Sequence, residues 1–189
     1  MAASRRHRRL RRTGVAALAV TGACLIAGGC TVANSGQGVS DPNTLRIVLQ
    51  QEPPTLEPCE SSLTSTGIVV RSNITEPLIE RDPDSGDLQP LLATAWRQTS
   101  PTEWTFDVRP GVTFSNGAPF TASDAAFAID RAVNSDLQCN VDGYVFGDER
   151  LDIAALNDTT LTVATEKADP ILPLRISFVE MVPRGTSMT

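Results

Sequence analysis

The sequence predicts a mixed α/β fold, and three local patterns carry that expectation. Residues 104–109 (WTFDVR) alternate, with Trp104, Phe106 and Val108 on one side and Thr105, Asp107 and Arg109 on the other, the period of a strand. Residues 122–133 place Ala122, Ala126, Ile129 and Val133 at helical spacing, with Asp130 and Arg131 off that stripe. Residues 151–156 and 160–165 are strand-like runs flanking Asn157 and Asp158, which reads as a hairpin.

The remaining elements fall into place around these. Residues 45–50 (LRIVLQ) alternate and read as a first strand, followed by a Pro-rich loop at 51–58. A short helix is expected through Ile68, Val69 and Val70. The run at 82–87 (DPDSGD) is a turn signal, because Pro presets φ and Gly admits φ > 0, so it joins two strand-like pieces. Residues 91–96 are short and apolar and read as one helical turn. Residues 112–114 continue extended, and Asn116 with Gly117 marks a tight turn. Thr121 then opens the long helix: its hydroxyl can cap the amide of Asp124, which sits at N3 near the positive helix end. That helix should stop near Asn134, with a loop over 140–150 and an apolar run at 171–182.

Charge is unevenly placed along the 189 residues. Six of the 16 basic residues lie in the first twelve positions, and no Asp or Glu precedes Asp41. The rest carries 10 basic against 22 acidic residues, a balance that repels phosphate backbones and argues against nucleic-acid binding. The one histidine, His7, lies in the basic head, so the body lacks imidazole for a His-based triad or most zinc sites.

That head has the layout of an export signal. Arg5, Arg6, Arg8, Arg9, Arg11 and Arg12 precede an uncharged run of fourteen residues, 14–27, then Gly28, Gly29 and Cys30. The run is shorter than the roughly 20 residues that span a bilayer. The small residues before Cys30 resemble a bacterial lipobox, which implies cleavage after residue 29 and a diacylated Cys30. Ala27 stands where Leu is commonest in such boxes, and a plain signal cut near Ala27 or Gly29 is the alternative. The arginine pairs raise a twin-arginine route beside the general one, although Ser4 to Leu10 lacks the apolar pair that should follow. Residues 30–43, rich in Ser, Gly, Asn and Pro, read as a tether between anchor and body. With Cys30 lipidated, Cys59 and Cys139 remain, the arithmetic of one disulfide in an oxidising compartment or of two buried thiols.

Residues 75–79 (TEPLI), 82–90 (DPDSGDLQP), 92–96 (LATAW), 103–114 (EWTFDVRPGVTF), 116–124 (NGAPFTASD) and 126–129 (AFAI) together resemble extracellular solute-binding protein family 5, the receptors of peptide and nickel ABC importers. Residues 53–58 (PPTLEP) resemble the family's early loop, with Glu57 in place of the usual Asp, and 156–163 (LNDTTLTV) its later hairpin. The resemblance implies an incomplete periplasmic-binding-protein type II-like fold: part of lobe I plus a small inserted α+β domain, with the second lobe absent. Its expected layout is a signal at 1–29, a tether at 30–43, a first piece of lobe I at 44–60, the inserted domain at 61–148 and a return to lobe I at 149–189.

It implies capture of a peptide or other small solute, partner permease and ATPase subunits, a lipid anchor on the outer face of the membrane, and neither a cofactor nor a metal. Of the ligand-lining positions, only Thr55, Leu56, Glu57 and Pro58 carry over, and Glu57 can pair with a ligand ammonium group or stand as a solvated carboxylate. Hydrolysis through Ser115, Asp107 or Asp124 lacks any nucleophile elbow, paired-carboxylate motif or phosphate loop, so no enzyme is expected. The other reading is a truncated or split gene product, an anchored lipoprotein that binds nothing.

Overall fold

The computed structural model describes residues 43, 48–49, 51–52, 55–61, 66–137, 139 and 141–187. The signal at 1–29, Cys30 and nearly all of the tether lie outside them. So does most of the first strand expected at 45–50; Val48 and Leu49 are exposed and carry no regular structure. Residues Val48–Thr189 make one unit.

The polypeptide enters through two short helices, α1 (Pro58–Ser61) and α2 (Ile68–Asn73). Strands β1 (Ile79–Arg81) and β2 (Leu88–Pro90) pair antiparallel across the expected Asp82 turn. Asp82 accepts the amides of Asp84 and Ser85 through Oδ1 at 3.0 and 2.7 Å, and the Ser85 bond above all holds its carboxyl below the usual range. Gly86 takes φ +79°, which L side chains rarely adopt, and a Cβ there would meet Nη2 of Arg81 at 2.9 Å.

The main sheet has four antiparallel strands in the order β3-β4-β6-β5, with β3 Ala93–Ser100, β4 Glu103–Val108, β5 Asp152–Asn157 and β6 Thr160–Ala164. The helical turn expected at 91–96 is therefore corrected to a strand. Beyond Ala93 only Trp96 is partly covered, so β3 is an edge strand whose outer positions are Thr, Arg, Gln and Ser, and the alternation that marks a half-buried strand is missing. Its backbone is fixed by β4, with Trp96 opposite Phe106 and Arg97 opposite Thr105.

Helix α3 (Ala122–Val133) packs across β5 and β6. Its capping box is formed: the Asp124 carboxylate accepts the Thr121 amide at 2.9 Å and the Thr121 hydroxyl at 2.6 Å. Ala125, Ala128 and Ile129 meet Phe106, Leu161 and Val163 in the core, and each fully buried large side chain contributes roughly 1.5–3 kcal/mol. Arg131, expected off the apolar stripe, is buried as well.

The loop expected over 140–150 contains a π-helical turn at Asp142–Phe146. Arg175 shapes it from helix α4 (Leu172–Ile176), covering the Phe146 ring at 4.5 Å and donating Nε to the Val145 carbonyl at 3.1 Å. The same guanidinium pairs with Glu149 at 2.7 Å and with Asp169. Strands β5 and β6 extend the sheet of β3 and β4, so the boundary expected at residues 148 and 149 is not where the sheet divides. After α4 the chain crosses back to bridge Pro77 with Glu180.

Candidate functional site

Two places gather chemistry: the early loop where it meets α3, and a cleft beside the β1–β2 hairpin. In the loop, Oγ1 of Thr55 accepts the Glu57 amide at 3.0 Å, and the Glu57 carbonyl accepts the Ser61 amide at 3.1 Å as α1 begins at Pro58. Leu56 is exposed. The Glu57 carboxylate is neither solvated alone nor open on both oxygens: Nη1 of Arg131 donates to its Oε1 at 3.0 Å. Arg131 is 5% exposed, and its Nε and Nη2 donate to the Ser187 carbonyl at 3.0 and 2.9 Å. One guanidinium thus joins the early loop, α3 and the trailing segment. Breaking such a buried pair from one side costs about 3–5 kcal/mol.

The same joint contains Cys59 and Cys139, both buried, with Cα atoms 4.4 Å apart, at the near end of the range a disulfide spans. Alongside, Nε of Arg184 reaches Oδ1 of Asp124 at 3.2 Å. Burial pushes the Asp124 carboxyl up, but the Thr121 hydrogen bonds and Arg184 together outweigh it and hold the group below its ordinary value.

The cleft measures about 1010 Å³ and lies between the end of α2, the β1–β2 hairpin, the loop at 112–116 and the segment at 177–183. Glu180 stands in its wall, 8% exposed. Burial pushes its carboxyl up to about 7, against the downward pull of Thr75 and Arg71, and the Glu76 charge adds to the rise. Oε2 of Glu180 and Nε of Arg71 are both buried without a hydrogen-bond partner. An acceptor left this way costs about 1–3 kcal/mol.

Thr55, Leu56 and Glu57 do not line this cleft. Pro58 lines a small hollow that it shares with Arg131 and Glu180. The early loop and the cleft wall are thus near neighbours through Glu180. Sequence reasoning missed Glu180, Arg71 and Arg131. The available signal was a lone carboxylate, Glu180, in the otherwise apolar stretch at 176–182. Asp107 is committed to Arg97 at 2.8 Å, Asp124 to its cap, and Ser115 is exposed at the cleft. Among the described residues no group of three or more His, Cys, Asp or Glu could hold a metal, and no helix is long and apolar enough to cross a membrane.

A four-stranded antiparallel sheet with a capped helix across it, fed by an early loop and a returning tail, is part of a substrate-receptor fold. Residues 87–186 match the model of bacterial extracellular solute-binding proteins, family 5 Middle, and the chain belongs to that family. The periplasmic murein peptide-binding protein MppA of Escherichia coli is 24% identical over 152 residues, covering 72% of this chain and 28% of that protein. The nickel-binding periplasmic protein of Escherichia coli is 33% identical over 106 residues, 56% of this chain and 20% of that one. The solved structure of Burkholderia pseudomallei OppA superposes with a TM-score of 0.56 at 25% identity, covering 69% of this chain and 28% of that chain. The chain therefore spans less than a third of the length of these relatives.

Proposed function

We propose that this chain is the N-terminal portion of an extracytoplasmic receptor of an ABC importer, which captures peptides or similar small solutes and delivers them to permease and ATPase subunits. The family match over residues 87–186, on a body folded like part of such receptors, carries this reading. Residues 1–29 act as the signal, Cys30 as the lipidated first residue, and 30–43 as the tether to the outer face of the membrane. Because β5 and β6 complete the sheet of β3 and β4, we place the inserted domain at 61–164, with lobe I supplying the early loop and the segment after β6. Thr55, Leu56, Glu57 and Pro58 form the ligand-facing loop, held by Arg131 and by a Cys59–Cys139 disulfide. The receptor works by binding, without catalysis. Deleting the gene in its own cell should abolish uptake of a labelled oligopeptide and a plasmid copy should restore it; unchanged uptake refutes the assignment.

The short span relative to the relatives favours a second reading, a truncated or split gene product that is anchored but does not bind on its own. The intact mass of the native membrane-fraction product separates the two. A mass more than twice that of this chain marks a complete receptor, and a mass near the chain without its first 29 residues, plus lipid, marks the short form.

A further inference from the structure

We propose that the cleft beside the β1–β2 hairpin is a subsite for an ammonium group, with Glu180 as its anchor; this rests on the solute-receptor reading and names the charge class of the solute. Glu180 is the one buried carboxylate among the residues lining the cleft, and its Oε2 has no hydrogen-bond partner. Arg71 does not satisfy it, since no ion pair joins the two and Nε of Arg71 is itself unpartnered. A buried, unsatisfied oxygen in a cavity wall favours a ligand group that brings donors and positive charge.

The charges around the cleft point the same way. Arg81, which also lines it, turns its Nε to the Gly86 carbonyl at 3.3 Å, and Asp82 spends its carboxylate on the turn amides. That leaves Glu76, Glu80 and Glu180 against Arg71, a negative balance facing the space. Phe114 and Phe120, packed edge to face with centroids 5.5 Å apart, add aromatic lining, which tolerates a cation and its alkyl stem. An anionic solute would meet repulsion in the same place.

The ammonium can come from a lysine side chain or a peptide N-terminus, and three tripeptides separate these. N-acetyl Ala-Lys-Ala, N-acetyl Ala-norleucine-Ala and unblocked Ala-norleucine-Ala are titrated to millimolar concentration into the full chain, with amide NMR shifts followed. The lysine peptide, the unblocked peptide, or both should bind about tenfold more tightly than the blocked norleucine peptide, with shifts at Glu180, Arg71 and Glu76. In Glu180→Gln that preference should vanish while weak binding common to all three persists. Equal binding of the three peptides to the unaltered chain overturns the subsite and leaves the receptor reading standing. A preference that survives in Glu180→Gln also overturns the subsite. No binding by any peptide overturns the receptor reading for this chain and the subsite with it.

Discussion

Replacing Glu180 by Gln should stabilise the protein at alkaline pH and leave it unchanged in acid. In the folded state the Glu180 carboxyl titrates at about 7, against 4.5 in the unfolded chain, because burial disfavours its charged form. Between those values the folded chain keeps a proton that the unfolded chain has released. Stability therefore falls as pH rises from 4.5 to 7, is free of this penalty below the window, and carries all of it above. A gap of that size corresponds to about 3 kcal/mol, and with only 8% of the residue exposed, solvent screening removes little of it. Gln keeps the size and the hydrogen-bonding oxygen but has no proton to lose. Urea unfolding of both proteins at pH 4.5 and pH 8, followed by circular dichroism, isolates the effect, since every other titrating group is shared. The variant should gain about 3 kcal/mol at pH 8 and nothing at pH 4.5. A difference that is equal at the two pH values, or absent at pH 8, would show that Glu180 does not carry a buried charge.

Arg131→Met should cost about 3–5 kcal/mol, because Glu57 and the Ser187 carbonyl both lose their buried donor; adding Glu57→Gln should recover part of that loss in a double-mutant cycle, and strict additivity would contradict the pairing. The proposed Cys59–Cys139 disulfide joins positions 80 residues apart, so Cys59→Ala with Cys139→Ala should lower the urea midpoint by the equivalent of about 4 kcal/mol, whereas insensitivity of the parent protein to reductant would argue for two thiols. Cys30→Ser should move the protein from the membrane fraction to the soluble fraction on centrifugation; retention at the membrane would refute the lipid anchor.

What the sequence disclosed was local. The Asp82 turn, the Thr121 and Asp124 box, strand β4 and the β5–β6 hairpin each rest on residues a few positions apart, and each is found in the expected place. Strand β3 escaped because an exposed edge strand has no buried face to impose an alternating pattern. The site escaped for a different reason. Arg131 looks like a surface residue on its own helix until Glu57, 74 positions earlier, supplies the compensating charge that permits burial. Glu180 reads as an interruption in an apolar run, and only the Pro77 bridge brings it beside Arg71 and Glu76. Helical or strand periodicity carries no information about such partners, because the fold and not the neighbouring sequence selects them.

The Arg131 joint also sets an order of events. Its two arms close loops of 74 and 56 residues, toward Glu57 and toward Ser187. The entropy of closing a loop rises with its length, so local turns and the hairpin form ahead of these contacts. A chain threaded outward from its N-terminus delivers the early loop first, yet that loop acquires its full latch only after residue 187 has emerged. The region proposed to meet the solute is therefore among the first to arrive and the last to become rigid, and during that interval it is the part most open to proteases and chaperones.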